Sequence, residues 1–182
     1  MPLHLKLCFV SLSLYSKDIY LDENRVISLW KLLDLLNCDG SDNKDEIGNM
    51  YFNELVQRSL LQNYVDGQRV MHDLVHDLAC FLAGDEFFRL EGDKPVIQIP
   101  RDARYMSILS GGKRSSTYIS NASQSLRVIT TMTDNSYIGN PEALFMNCMK
   151  LRIIYLMQDS LAKYLVPNYL RAYARIMEAL KY

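Results

Sequence analysis

The chain has almost no net charge, and this absence limits the kinds of partner that its composition can indicate. Lysine and arginine number 20 and aspartate and glutamate 21, which gives a formal net charge of −1 over 182 residues. Nucleic acids and anionic membranes both attract an excess of basic residues. The composition therefore predicts no nucleic-acid partner. At 49% hydrophobic and 23% charged, the chain is typical of a globular protein with a substantial core.

The cysteines form no closely spaced pair. Cys8, Cys38, Cys80 and Cys148 lie far apart, and no CxxC motif occurs. Redox and zinc motifs usually need such spacing. Cys8 and Cys80 lie in apolar runs, where a free cysteine behaves as a small hydrophobic residue. We interpret the four as free thiols in a reducing compartment, and predict a cytoplasmic protein.

A membrane span and a phosphate-binding loop are also missing from the sequence. No stretch reaches the ~18 to 20 apolar residues that a transmembrane helix needs, so no integral membrane segment is predicted. The apolar residues 1–10 are few, and Lys17 and Asp18 soon follow. We interpret them as part of a core helix rather than a signal peptide. The GxxxxGK[ST] motif, whose backbone amides cradle phosphates, does not occur.

Three helices are predicted in the first third of the chain. Residues 3–14 are apolar on most faces, which favours a buried helix. Asp22 is a candidate N-cap for the second helix, and Asn43 with Glu46 resembles the capping box of a third. The apolar stripe of the second helix is Val26, Leu29, Trp30, Leu33 and Leu36, and that of the third is Ile47, Tyr51 and Leu55 with Met50 beside it.

A hairpin and a fourth helix follow. The Asp66-Gly67 pair between two strand-like runs predicts a hairpin with a primed turn. The next helix is predicted from about His72 to Ala83, with Gly84 ending it. Its predicted buried stripe is Leu74, Leu78, Phe81 and Leu82. Three helices, a hairpin and another helix predict a winged-helix domain over residues 1–86.

The rest of the chain is predicted to be less helical. Residues 87–119 are expected to be a linker with a short strand at 104–109. Strand-like runs at 126–129 and 151–156 are 25 residues apart, within the leucine-rich-repeat range, which predicts the first such units over residues 120–167. A C-terminal helix is expected over 168–182. The predicted fold class is mainly α with small β: a winged-helix domain, a linker and the beginning of a leucine-rich-repeat α/β solenoid.

Two His-Asp pairs stand four residues apart, at His72-Asp73 and His76-Asp77. This spacing mimics the HExxH zinc helix with aspartate in place of glutamate. Only His4 and scattered acids are available as a third ligand, so no metal site is predicted. The simpler interpretation is a solvated helix face with an N-terminal cap, which we favour for His76 and Asp77.

Several short motifs occur together in one order. They are Pro2-Leu3-His4-Leu5-Lys6-Leu7-Cys8-Phe9, Leu29-Trp30, Ile47-Gly48, Tyr51-Phe52-Asn53-Glu54-Leu55, Arg58-Ser59-Leu60-Leu61-Gln62 and Met71-His72-Asp73-Leu74-Val75-His76-Asp77-Leu78-Ala79. This series resembles the plant intracellular immune receptors of the nucleotide-binding, leucine-rich-repeat type, in the coiled-coil class. The resemblance covers about the first 110 residues.

The resemblance implies a role in defence signalling and names the site residues. Met71, His72 and Asp73 match the family's Met-His-Asp motif, in which the histidine faces the β-phosphate of ADP. Asp73 is then expected to orient the local backbone and to hold the closed, inactive arrangement. A helix N-terminus supports an anion through its free N–H groups and its dipole.

The family's cofactor is ADP or ATP, and its phosphate loop lies upstream of this region. We therefore expect this chain to be a fragment that binds nucleotide weakly or not at all and is not an enzyme. Its expected partners are the nucleotide-binding core and leucine-rich repeats of a parent receptor, and possibly other immune receptors.

Two other functions stay open from the residues alone. Winged helices often bind DNA, but the predicted third helix, residues 45–58, carries three acidic residues against one arginine, and the wing carries only Arg69. The surface potential of that helix distinguishes this hypothesis. The other function is a protein-interaction module that modulates a full-length receptor through exposed strand edges or the winged-helix face.

Overall fold

The computed structural model describes residues 1–36, 43–64, 67–91, 99–109, 125–131, 148, 150–156 and 163–165, within two compact units, residues 1–84 and 85–182. The first unit contains α1 (Leu3–Ser11), α2 (Glu23–Leu32), α3 (Lys44–Gln57), the strands β1 (Gln62–Asn63) and β2 (Arg69–Val70), and α4 (Asp73–Ala83). The second unit contains β3 (Phe87–Leu90), β4 (Tyr105–Ile108), β5 (Val128–Thr131), β6 (Ile153–Leu156) and β7 (Lys163–Leu165).

The predicted first helix is confirmed, and it packs against the buried tryptophan of α2. A single 3₁₀ turn extends α1 as far as Leu14. The indole N–H of Trp30 lies 3.1 Å from both the Cys8 carbonyl oxygen and the Ser11 hydroxyl oxygen, and Ser11 donates to that carbonyl at 2.7 Å. A buried indole needs such an acceptor, since an unpaired N–H would cost about 1–3 kcal/mol. Trp30 therefore belongs to the core of the first unit.

Side-chain caps set where α2 and α3 begin. The Asp22 carboxylate accepts the Arg25 N–H at 2.9 Å, as its predicted N-cap role requires. Asn43 caps α3 by accepting the Asp45 N–H at 3.1 Å, and its amide also donates to Glu46 at 3.2 Å. The predicted capping box thus forms through the two side chains, because Asn43 offers an amide donor that serine and threonine lack.

The wing consists of an antiparallel hairpin and a third backbone segment beside it. Gln62 pairs with Val70 in the hairpin, and Gly67 adopts a φ of 77°, which glycine accepts without strain. Leu21 exchanges backbone hydrogen bonds with Arg69 at 2.7 and 3.2 Å. The predicted hairpin is confirmed, and its other predicted turn residue, Asp66, lies outside the described residues.

The second unit is built on a five-stranded sheet with the order β3-β4-β5-β6-β7. The first four strands are parallel, with Phe87 opposite Tyr105, Tyr105 opposite Val128 and Val128 opposite Ile153. The last pair reproduces the 25-residue interval that the sequence predicts. The segment expected to be a linker differs from the prediction, because it contributes two strands of this sheet.

One face of this sheet carries the core of the second unit. Its buried members are Leu90, Ile99, Ala103, Met106, Ile108, Leu126, Ile129, Cys148 and Leu151. Strand β7 runs antiparallel to β6. A leucine-rich-repeat array pairs its strands in parallel, so β7 departs from that pattern and the predicted solenoid is not seen. The predicted C-terminal helix over 168–182 lies outside the described residues.

Candidate functional site at the start of helix α4

His72 is the N-cap of α4. Its backbone is extended, and its ring Nδ1 accepts the N–H of Leu74 at 3.3 Å. Because Nδ1 acts as an acceptor, the neutral ring carries its hydrogen on Nε2. The side chain is exposed, and no described residue forms a hydrogen bond with Nε2. The first turn of α4 therefore presents a single outward ring donor.

The backbone donors of this turn are largely engaged. Leu74 N–H points to the His72 ring, and the N–H groups of Val75 and His76 donate to the His72 carbonyl oxygen at 2.8 and 2.9 Å. The expectation of several free N–H groups at the helix start is therefore wrong for these positions. An anion near this end would meet the helix dipole and the His72 ring rather than a cradle of backbone amides.

Asp73 occupies the first position of α4 and is exposed. A carboxylate there is favoured by the helix dipole. Its side chain makes no hydrogen bond or ion pair with any residue that the structure describes. Any partner that Asp73 holds must therefore come from outside these residues.

Met71 lies on the opposite side of the motif, inside the unit. It is buried and lines a small cavity together with Leu12, Tyr15, Leu21 and His76. Such a contact fixes the end of β2 against the body of the unit. Met71 therefore anchors the backbone from which His72 projects.

His76 contradicts the sequence interpretation, which favoured a solvated position. Its side chain is only 2% exposed, and its Nε2 lies 2.9 Å from the carbonyl oxygen of Tyr15. Tyr15 follows the 3₁₀ turn after α1, and its extended backbone directs the carbonyl into the unit. The hydrogen bond compensates the polar ring for losing water. His76 is a buried link between α4 and the end of the first helix.

The predicted buried stripe of α4 is also wrong. Leu74 is 73% exposed and Phe81 is 81% exposed, and Leu78 and Leu82 also face outward. The buried face consists of His76, Ala79 and Ala83 instead. Two alanines allow α4 to approach α1 closely, and the larger apolar residues then have no place on that side.

Asp77, the partner of His76 in the sequence pair, is exposed as predicted. Its carboxylate lies 2.6 Å from the Lys17 ammonium group, and both side chains are largely exposed. The hydrogen bond with Asp77 raises the pKa of Lys17, and the charges of Asp77, Asp73 and Cys80 act in the same direction while partial desolvation opposes them. Such surface pairs contribute little to stability.

The zinc hypothesis fits these positions poorly. His72 is committed to its own helix through Nδ1, and both ring nitrogens of His76 have partners, with Cys80 Sγ 3.7 Å from Nδ1. Within the described residues, no three histidine, cysteine, aspartate or glutamate side chains form a cluster able to hold a metal ion.

The charges on α3 and the wing argue against DNA recognition. On α3, Asp45 pairs with Lys31, and Glu54 holds Arg58 at 2.7 Å. In the wing, the guanidinium group of Arg69 donates to the Gly67 carbonyl oxygen at 2.7 Å. A recognition helix needs free basic side chains for phosphates. The helix that would enter a groove is acidic here, and its arginine is already paired.

Comparison with known proteins identifies the first unit. Residues 14–79 match the family model described as the disease resistance protein winged helix domain, a range that runs from the 3₁₀ turn into α4 and contains the whole site. Residues 14–79 form a disease resistance winged helix domain. The resemblance predicted from the ordered motifs is confirmed.

The curated relatives are plant proteins. A putative disease resistance RPP13-like protein 1 of Arabidopsis thaliana is 36% identical over 110 residues, which cover 60% of this chain and 10% of that protein. A second putative disease resistance protein of the same plant is 37% identical over 110 residues, covering 59% of this chain and 8% of that protein. Disease resistance protein RGA2 of Solanum bulbocastanum is 36% identical over 86 residues, covering 45% and 9%. The chain thus spans about a tenth of the length of the relatives it matches.

The described part of the chain has no helix with the length and apolar character to span a membrane. The residue that sequence reasoning misplaced is His76, together with the outward apolar face of α4. A signal for both exists in the sequence, because Ala79 and Ala83 follow His76 at helical spacing and mark a face suited to close packing. Large apolar side chains on the other face masked that signal.

Proposed function

We propose that this chain is the winged-helix regulatory segment of a plant immune receptor switched by ADP and ATP. In this proposal the ring Nε2–H of His72 donates to the β-phosphate of ADP, and Asp73 helps to hold the inactive arrangement. The chain supplies one contact and no chemistry of its own. We place such a receptor in the cytoplasm, where the free thiols Cys8, Cys80 and Cys148 would stay reduced.

The observation that carries the proposal is the geometry of the His72 ring. Its Nδ1 caps α4, which fixes the ring at the helix start and leaves Nε2–H as the outward donor. Hydrogen bonds to charged acceptors contribute about 1.5–3 kcal/mol, roughly twice the neutral value. The dipole of α4 adds to the attraction for an anion at the same position.

The two remaining residues of the motif take supporting roles in this proposal. Met71 is buried and anchors the end of β2, so it positions His72 without touching the nucleotide. Asp73 has no partner among the described residues, and its role requires one in the parent receptor. The nucleotide-binding core and the leucine-rich repeats are the partners we propose for this coupling. The parallel strands β3 to β6, spaced by 23 and 25 residues from Tyr105 onward, support an entry into repeats.

The decisive variant is His72→Asn in a receptor that carries this segment. Asparagine is among the best N-cap residues, so the α4 cap is kept while the ring donor is lost. We expect ADP to dissociate about tenfold faster or more, the equivalent of one charged hydrogen bond. Release of labelled ADP measures this rate.

Matched controls separate the cap from the phosphate contact. The Asp22→Asn variant changes an N-cap of α2 in the same way and should leave ADP release unchanged. An Asp73→Val variant should raise basal signalling because the inactive state loses its lock. If His72→Asn releases ADP at the native rate, the phosphate contact is wrong.

The chain alone should bind ADP only weakly, because a single ring donor and a helix dipole replace a full phosphate cradle. Calorimetry should detect no binding tighter than roughly millimolar, which corresponds to about 4 kcal/mol. Micromolar binding by this chain would contradict the proposal that the remaining contacts come from another part of the receptor.

The outward face of α4 favours a second candidate function, a protein-interaction module that modulates a full-length receptor. Leu74, Leu78 and Phe81 lie on it at helical spacing and are exposed. Contiguous apolar surface of this kind marks interaction sites more often than isolated residues do. A Phe81→Ser variant should weaken co-precipitation with the receptor without changing its ADP release, and equal co-precipitation would remove this candidate.

A further inference from the structure

Helix α4 places a thiol beside its buried histidine. Cys80 Sγ lies 3.7 Å from His76 Nδ1, one helical turn along α4. Cys80 is half-buried, whereas Cys8 and Cys148 are buried. Nothing in the proposed nucleotide contact uses this pair, because His72 acts from the first turn and faces outward.

The hydrogen bond with Tyr15 determines which nitrogen of His76 can act as a base. A carbonyl oxygen only accepts, so the contact of 2.9 Å between Tyr15 O and Nε2 requires the hydrogen on Nε2. In the neutral ring Nδ1 is then the acceptor, and the thiol of Cys80 is the donor within reach. The imidazole is thus oriented by its backbone partner, as in cysteine–histidine pairs where a third group fixes the base.

A cation also acts on this thiol. The charge of a Cys80 thiolate contributes to the raised pKa of Lys17, after the larger effect of the hydrogen bond with Asp77. The interaction is reciprocal, so the Lys17 ammonium group favours the thiolate form of Cys80. A neighbouring base and a neighbouring cation are the two features that make a cysteine nucleophilic.

We propose that Cys80 is a nucleophilic thiol that hydroperoxides oxidise to a sulfenic acid, with His76 as the proton acceptor. His76 Nδ1 takes the thiol proton, and the thiolate attacks one peroxide oxygen. The S–O bond forms as the O–O bond breaks, and sulfur loses two electrons to the peroxide. With hydrogen peroxide the leaving hydroxide takes the proton from His76 and departs as water.

The competing explanation is that the Cys80–His76 contact is only packing. Two buried thiols of the same chain serve as internal references for this alternative. Burial raises the pKa of Cys8 to about 12 and that of Cys148 to about 11. Both should therefore stay protonated and unreactive at neutral pH.

The test uses the full chain in a Cys38→Ser background, because Cys38 lies outside the described residues. The protein is treated with hydrogen peroxide, and sulfenic acids are captured with a dimedone probe and quantified by mass spectrometry. We expect Cys80 to be labelled about tenfold faster than Cys8 and Cys148 in the folded chain. We also expect it to be labelled faster than Cys80 itself in urea, where the base is lost.

Two substitutions separate the base from the cation. His76→Gln keeps an amide donor for the Tyr15 carbonyl but removes the Nδ1 acceptor, and should slow labelling about tenfold. Lys17→Met should slow it by a smaller factor, and Lys31→Met, which removes a surface lysine on α2, should leave it unchanged.

Labelling of Cys80 no faster in the folded chain than in urea would overturn the proposal. Equal labelling in a folded His76→Gln variant would overturn it as well. If His76→Gln does not fold, the comparison of folded and urea-treated chains decides the question alone.

Discussion

The two faces of α4 have exchanged the residues that hydrophobic patterning assigns to them. The inward face carries a histidine and two alanines, His76, Ala79 and Ala83, while leucines and Phe81 face outward. The same contrast appears between its two His-Asp pairs, since His72 is exposed and His76 is buried. Close approach to α1 and one buried hydrogen bond decide the inward face, and apolar area does not. The exchange is physically consistent when the outward face is a contact surface.

The largest expected effect is on the inward histidine. His76→Ala leaves the Tyr15 carbonyl oxygen buried without its donor and opens a cavity, which should lower the free energy of unfolding by about 3 kcal/mol. Urea unfolding followed by the fluorescence of Trp30, the single tryptophan, reports directly on the first unit. His72→Ala is the matched control. If His76→Ala is no more costly than this control, His76 is not the buried link described here.

A substitution on each face should give the next largest difference. Ala79→Leu adds three carbons to a fully buried position against α1, and overpacking of this kind costs about 1–3 kcal/mol. Phe81→Ser removes a much larger side chain from an exposed position and should change the free energy of unfolding by less than about 0.5 kcal/mol. The same urea unfolding measures both, and the reverse order would mean that α4 is rotated about its axis.

The cap should give a smaller effect with a specific rescue. His72→Ala removes the acceptor for the Leu74 N–H and should cost about 1 kcal/mol. His72→Asn should restore this stability, because the asparagine side chain offers the same acceptor. Thermal unfolding of the three chains provides the comparison. Equal midpoints for native and His72→Ala would show that the ring does not cap α4.

The surface pair should give the smallest effect. Lys17→Met removes the partner of Asp77, and because both side chains are largely exposed, water and salt already screen their attraction. We expect its unfolding midpoint to change less than that of His72→Ala. A larger shift, persisting in high salt, would indicate that this pair is shielded from solvent.

Local rules predicted much of this fold from sequence. Asp22 and Asn43 cap the helices expected of them, because capping depends on residues two or three positions away. The 25-residue interval between Val128 and Ile153 was likewise visible, since strands of similar sequence pair in register. Such features need no knowledge of distant partners.

The orientation of α4 could not be predicted in this way. It depends on contacts with α1 and on the Tyr15 carbonyl, 61 residues away from His76. Hydrophobic periodicity assumes that the largest apolar residues face inward, and that assumption fails where a surface is kept for a partner. The role of His72 came from the ordered motifs, because a lone exposed histidine carries no such information.

Histidine footprinting of the intact chain tests the orientation of α4 most directly. Diethyl pyrocarbonate modifies accessible imidazole rings, and mass spectrometry of the peptide containing both residues gives the two rates separately. The account predicts that His72 is modified at least about tenfold faster than His76, whose ring is buried and bonded to Tyr15. Equal rates, or faster modification of His76, would contradict it.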